Sequence, residues 1–424
     1  MEKKLENIPF SRPFIGKEEE EAVLAVLRSG WLTTGKETHE FEKDFEKFLS
    51  TNTDTGLEKI HCMAVNSATS GLHLALEALG IQKGHIVLLP SMTFTASAEV
   101  VSYLGAEVVF VDVVKGGGLI DPECLEKTIY RLKKGQPAYP RRSKEGRQFG
   151  PYGKTLAVMP VHLGGLPCDM EAILSIAKKN KLYVVEDAAH SFPSFIPAET
   201  PGQNGHWAGL MGDLGVYSFY ATKTITTGEG GMVVTADEAL AKRIRIMRSH
   251  GIDRSIWDRY TDTKASWFYQ VVEPGFKYNI PDILSALGRV QLKRAMDLLV
   301  MRQKLAKRYD EAFANDEHFS IPQTGSGDAR HLYTLKLNLD RLSVTRDEFA
   351  AKMQEQGIGI SVHFIPLHTM PYYKNRYGLK DNDFPETMDL YKRIISLPIW
   401  PGMTDKQIDR VIEVVKTLGS DYDK

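Results

Sequence analysis

Apolar residues in this chain fall in short runs separated by helical periodicities. KEEEEAVLAVLRSG places Ala22, Val23, Val26 and Leu27 on one face and stops at Gly30, which predicts a helix. From Ile60 the units alternate: strand CMAV, a helix from about Ser70 to Leu79, strand HIVLLP, helix TASAEVVSYLG and strand AEVVFVDV. The alternation resumes at LAVMPVHL and runs through helix MEAILSIAKKN and strand LYVVEDAA to GVYSFY and GGMVVTA. Buried strands separated by helices predict an α/β fold with a mostly parallel sheet covered on both faces. Sites in such sheets gather at the carboxyl ends of the strands.

From about Pro281 the run DILSALGRVQLKRAMDLLVMRQKLAKRYDEAF predicts one long connecting helix. Beyond it LYTLKLNL, the helix RDEFAAKMQEQG and the strand IGISVHF form a final αβ region. The expected division is residues 1–280 for an N-terminal arm and large domain, and 281–424 for the connecting helix and a smaller C-terminal α/β domain. Residues 131–154 are rich in Arg, Lys, Gly and Pro and interrupt the alternation. They read as a solvated loop, with a basic patch for a nucleotide diphosphate or a partner subunit as the sharper reading.

Composition narrows the function classes. Lys and Arg number 53 against 54 acidic residues in a 424-residue chain, which gives no electrostatic reason to expect nucleic acid or a membrane surface as partner. Cys62, Cys124 and Cys168 are far apart and odd in number, so neither a disulfide framework nor a metal site is expected. MEKKLENIPFSRPFIG lacks a signal-peptide core, and no segment approaches the ~18 apolar residues of a membrane helix, so a soluble cytoplasmic protein is expected.

Four segments carry candidate chemistry. In AVNSATSGLHLAL a polar turn opens a helix, bringing the Thr69 and Ser70 hydroxyls, free backbone N–H groups and the positive helix end to one point. Taken alone the turn reads first as an ordinary helix cap; beside the other segments it reads as a phosphate cradle. Phe94, after a strand ending in proline, is either a core aromatic or a plate on which a flat ring stacks. VVEDAAHS puts Glu186 and Asp187 at the end of a buried strand, where a carboxylate needs a cation, such as a pyridinium nitrogen, or a set of backbone N–H groups. Lys223 follows GDLGVYSFYATK, five residues after Ser218 and just before a Gly-rich turn, a setting that suits a lysine held against a ligand as a Schiff base and then as a proton carrier.

Taken in order, SGWLTTG, NSATSGLHLAL, PSMTFTAS, PVHLGGLPCDM, VEDAAHS, YSFYATKTITTGEGGM, RSHGI, PGFKYNIPD, GISVHFIPLH and LPIWPGMT resemble the fold type I pyridoxal-phosphate enzymes. Within them the chain resembles the sugar aminotransferases of the DegT/DnrJ/EryC1/StrS family, from about Phe10 to the C-terminus. The resemblance implies pyridoxal 5'-phosphate as cofactor, joined to Lys223, with Asp187 at the pyridine nitrogen, Phe94 stacked on the ring and His190 near its phenolic oxygen. Thr69, Ser70 and Ser218 would hold the phosphate. Asn279 of the GFKYN motif would reach a phosphate across the interface of a homodimer with composite sites.

On the substrate side the resemblance points to Trp31, Thr33, Arg254 and His363. Interface packing for Trp31, a surface ion pair for Arg254 and a satisfied histidine at a strand end for His363 would account for these residues equally well. The implied reaction is transfer of an amino group from L-glutamate to a keto carbon, C4 in the most similar branch, of a UDP-linked deoxysugar serving polysaccharide biosynthesis. A sugar-nucleotide dehydratase with the same cofactor would carry histidine in place of Lys223. A regulatory protein that keeps the fold without turnover and an aminotransferase for small amino acids are the remaining rival readings.

Overall fold

Seven strands form the central sheet in the spatial order His61–Val65, Gly231–Thr235, Leu214–Ser218, Tyr183–Asp187, Lys154–Val158, His85–Pro90, Glu107–Val111. The computed structural model describes residues 7–51, 59–138, 141–142, 148–149, 153–197, 205–253 and 268–424. From Leu214–Ser218 to Glu107–Val111 the pairing is parallel throughout. Gly231–Thr235 runs antiparallel to both of its neighbours. The reversal follows from the connection: residues 219–230 contain no helix, and a parallel return needs a long crossover.

Helices cover the sheet where the apolar periodicity places them. Ala68–Ala78, Thr95–Tyr103 and Met170–Asn180 pack Leu72, Leu76, Val100 and Ile173 against Leu88, Val109, Val158, Val185 and Val216 of the strands. Gly71 lets the first of these helices lie close to the sheet, because a Cβ there would stand 2.7 Å from Val216. A second cluster, rich in aromatics, joins Phe41, Phe45, Phe192, Trp207, Tyr217 and Phe219. A third is built largely from the C-terminal region, around Tyr309, Phe313, Tyr333, Phe349, Ile395, Val411 and Val415, and takes in Ile8 from the N-terminal arm.

Several elements differ from expectation. The connecting helix is two helices, Asp282–Lys293 and Ala295–Phe313, parted at Arg294 (φ −102°, ψ 4°). Its first segment is fastened to a further helix, Lys36–Ser50, which is absent from the sequence expectations. Asp282 accepts from the N–H groups of Gly35 at 2.7 Å, Thr38 at 3.0 Å and Glu37 at 3.1 Å. A carboxylate from a distant segment thus meets the open N–H groups of a helix start. IGISVHF forms no strand, only the single bridges Ile8 to Ile358 and Ser361 to Ser396. The C-terminal sheet is instead antiparallel, in the order Phe319–Ser320, Tyr333–Leu337, Ile394–Leu397.

Within the basic segment 131–154, Arg141–Arg142 pairs with Gln148–Phe149. Cys62 and Cys168 are buried, Cys124 is half-buried, and all three are free thiols. Among the described residues no helix is long and apolar enough to cross a membrane.

Candidate active site

The carboxyl ends of the Tyr183–Asp187 and Leu214–Ser218 strands open on a cavity of about 580 Å³, within the range that holds a cofactor-sized ligand. Asp187 and Lys223 both line it. Asp187 is 5% exposed; its carboxylate accepts from the Ser97 hydroxyl at 2.7 Å and from the Ala189 N–H at 3.2 Å. Burial raises its pKa, partly offset by those two bonds and by the Lys223 charge. Lys223 sits in the turn after Ser218, its N–H bonded to the Tyr220 carbonyl at 2.9 Å, and the surface it keeps opens on the cavity. Burial lowers its ammonium to about 7 against the pull of Asp187, and the Arg302 guanidinium adds to the depression. A lysine in that range carries a large neutral fraction at neutral pH, the form that attacks a carbonyl and accepts a proton.

One wall is the start of the helix Ala68–Ala78. The Ser67 side chain caps it by accepting from the Ser70 N–H at 3.1 Å, which leaves the Ala68 and Thr69 N–H groups without acceptors inside the helix. Ser67, Ala68, Thr69 and Ser218 all line the cavity. Gly231 lets the neighbouring strand close on this point, since a Cβ there would stand 2.8 Å from the Ala68 nitrogen. Ser70 is placed differently from Thr69: its hydroxyl donates to Asn66 Oδ1 at 2.7 Å, is buried in the cap and does not line the cavity.

The other walls are aromatic. Phe94 is 57% exposed at the cavity side, its ring centroid 5.8 Å from that of Phe364. The His190 ring lies 4.6 Å from that of His331 and 6.3 Å from that of His363. His190 Nδ1 accepts from the Gly164 N–H at 3.2 Å, which places the ring proton on Nε2. His363 Nδ1 is 2.8 Å from the Ser396 hydroxyl. Burial, helped by the Lys223 charge, holds all three imidazoles neutral: His363 falls to about 4, and His190 and His331 lie well below the ordinary range.

The remaining sequence-selected residues lie elsewhere. Trp31 is half-buried and packs on Gly35; Thr33 is exposed, and its carbonyl accepts from the Asp282 N–H at 3.3 Å. Asn279 donates from Nδ2 to Thr34 Oγ1 at 2.6 Å, outside the cavity of its own chain, and its buried Oδ1 has no hydrogen-bond partner among the described residues. Arg254 lies outside the described residues. Sequence reasoning did not select Ser67, Ser97, His331 or Arg302. Ser67 and Ser97 belong to segments already singled out; His331 and Arg302 reach the site only through long-range packing and have no local signal.

Glu186 and Asp187 separate cleanly. The Glu186 carboxylate accepts from the N–H groups of Gly209 (2.7 Å), Met211 (2.7 Å) and Gly212 (2.6 Å) and lies 2.8 Å from His162 Nε2. It is the structural acid of the pair. Among the described residues no cluster of His, Cys, Asp and Glu could hold a metal ion. An exposed ring plate, a buried carboxylate, an amine and a helix start with open N–H groups around one cavity fit pyridoxal phosphate, a flat, anionic aldehyde with a basic ring nitrogen.

Comparisons with known proteins agree with this geometry. The model of the DegT/DnrJ/EryC1/StrS aminotransferase family matches residues 13–416. The spore coat polysaccharide biosynthesis protein SpsC of Bacillus subtilis (strain 168) is 40% identical over 414 residues, covering 97% of each chain. The putative sugar aminotransferase Spr1654 from Streptococcus pneumoniae, solved in PMP and PLP forms, superposes in the PMP form with a TM-score of 0.82 at 29% identity, covering 98% of this chain and 100% of the other. Helicobacter pylori PseC, an aminotransferase involved in the biosynthesis of pseudoaminic acid, gives a TM-score of 0.82 at 26% identity over 98% and 100% of the two chains.

Proposed function

We propose that this chain, which belongs to the DegT/DnrJ/EryC1/StrS aminotransferase family and is a pyridoxal-phosphate-dependent sugar aminotransferase, takes its amino group from L-glutamate and delivers it to C4 of a UDP-linked keto deoxysugar. The observation that carries the reading is the placement of Lys223 and Asp187 on one cavity beside an open helix start. The role of SpsC in spore coat polysaccharide biosynthesis supports a product destined for a polysaccharide. A cytoplasmic homodimer with composite sites completes the proposal.

When bound, pyridoxal phosphate supplies a carbonyl for reversible amine exchange and a ring that takes up electrons. Lys223 would anchor it and, once released, move a proton through its neutral amine between the substrate carbon and the cofactor carbon. Asp187, its position fixed by Ser97 and Ala189, would keep the ring nitrogen protonated. Phe94, exposed on the cavity, would stack on the ring, and the His190 Nε2–H would be offered to its phenolic oxygen. Thr69, Ser218 and the Ala68 N–H would hold the phosphate, with Ser70 fixing the turn that presents them. Asn279 serves the partner's site, while Trp31, Thr33, Arg254 and His363 contact the sugar nucleotide.

Glutamate and sugar use the cavity in turn, as two half-reactions. The test is a panel of keto sugar nucleotides incubated with holoenzyme and L-glutamate, with product read by mass. An aminated 4-keto UDP-sugar supports the assignment; amination confined to small keto acids overturns it.

A further inference from the structure

His331 is a buried imidazole packed against the His190 ring. It is 4% exposed and lines the Lys223 cavity, and its side chain makes no hydrogen bond among the described residues; Nδ1 is sealed from solvent, so a ligand in the cavity meets the ring at Nε2. An imidazole this buried with no hydrogen bond calls for an explanation, and on the wall of a cavity a ligand is one.

The loop around it is held firmly. Arg330 has φ 48°, a left-handed conformation that a residue with a Cβ adopts at a cost. Its N–H donates to Asp328 Oδ1 at 2.7 Å and its guanidinium pairs with Asp310. The Leu332 N–H donates to the Gly164 carbonyl at 3.1 Å, and the His331 carbonyl accepts from Arg302 Nη1 at 3.1 Å. The imidazole is thereby fixed beside His190.

Arg302 makes this end of the cavity positive. It is 2% exposed, donates only to the carbonyls of His331, Ile399 (3.0 Å) and Thr222 (3.4 Å), and pairs with no carboxylate among the described residues. Of the two carboxylates that line the cavity among the described residues, Asp187 is bonded to Ser97 and Glu229 is exposed. A neutral N–H donor with an unpaired guanidinium behind it suits a carboxylate.

We propose that His331 receives a carboxylate of the amino-group donor, an α-amino acid, with its ring N–H donating to a carboxylate oxygen and Arg302 supplying the field from behind. The inference rests on the aminotransferase reading above and names which residue meets the donor. Burial and the surrounding Lys223, His190, Arg302 and His363 keep the ring neutral, so it acts as a directed hydrogen-bond group and not as a charge.

The test reads the donor half-reaction alone. Holoenzyme is titrated with L-glutamate while the cofactor absorbance is followed, and calorimetry measures the binding of glutarate, a dicarboxylate that cannot react. His331→Phe, which keeps a ring and loses both nitrogens, is expected to raise half-saturating glutamate and the glutarate Kd about tenfold or more. Amination of the keto sugar by enzyme preloaded with pyridoxamine phosphate should change less than about twofold. His331→Asn, which retains a donor, should recover part of the loss, and it carries the comparison should the Phe variant fail to fold. Unchanged glutarate affinity in a folded variant, or equal losses in both half-reactions, overturns the inference. A parent enzyme that ignores glutamate would instead overturn the donor assigned under the proposed function, and glutarate binding would still decide the role of His331.

Discussion

Glu186 and Asp187 are consecutive on one strand and their carboxylates serve different environments: Glu186 accepts three backbone N–H groups of the 209–212 loop, whereas Asp187 bonds to Ser97 and lines the Lys223 cavity. Alternation along a strand sends neighbouring side chains to opposite faces. One acid holds the loop behind the site and the other lines its cavity.

Glu186→Gln tests the first half of that division. His162 Nδ1 accepts from the Cys168 N–H at 3.0 Å, so the ring proton lies on Nε2 and points at Glu186. A glutamine cannot accept at every one of these contacts, and its NH2 would meet another donor. The loss is expected to be about 2–4 kcal/mol of stability, read by thermal or denaturant unfolding, with kcat per bound cofactor within a few-fold of the parent.

Asp187→Asn should behave in the opposite way. An amide cannot hold a protonated ring nitrogen by charge, so turnover should fall by roughly two to four orders of magnitude in steady-state assays. In the cofactor-free protein the same change should raise the melting temperature at neutral pH, by roughly 1–3 °C. The sign follows from the raised pKa: the folded state binds this proton more tightly than the unfolded chain, so the native carboxylate lowers stability once pH passes its unfolded value.

Lys223 should titrate far below an ordinary lysine. In the cofactor-free protein its reaction with an amine-directed reagent should rise with pH through about 7, while exposed lysines respond near 10. Peptide mapping after brief labelling at a series of pH values reads the curve. Arg302→Met removes the neighbouring cation and should move the midpoint upward.

Much of this was legible in the sequence because the signals were local. Asp187 and Ser218 end apolar runs, Lys223 stands between such a run and a Gly-rich turn, and the Ser67–Ser70 turn opens a striped helix. What escaped leaves no mark on the pattern of apolar positions. The Gly231–Thr235 run reads like any buried strand, and only the short helix-free connection from Ser218 turns it antiparallel. The break at Arg294 leaves the helical periodicity intact. Ser70 and Thr69 look equivalent in the sequence, yet cap geometry commits one hydroxyl to Asn66 and leaves the other on the cavity. His331 has no motif around it, and its significance comes from what surrounds it in space.

Lys223→Ala should leave a folded protein that binds pyridoxal phosphate without the absorbance of a lysine-linked cofactor, and turnover should fall at least about a thousandfold. Activity through many turnovers would remove the lysine from the reaction.

Borohydride reduction of the holoenzyme followed by proteolysis and mass spectrometry tests the central claim most directly, because it fixes the cofactor to the lysine that holds it. The account predicts a single phosphopyridoxyl label, on Lys223. A label on any other lysine, or none on a protein that has bound the cofactor, would contradict it.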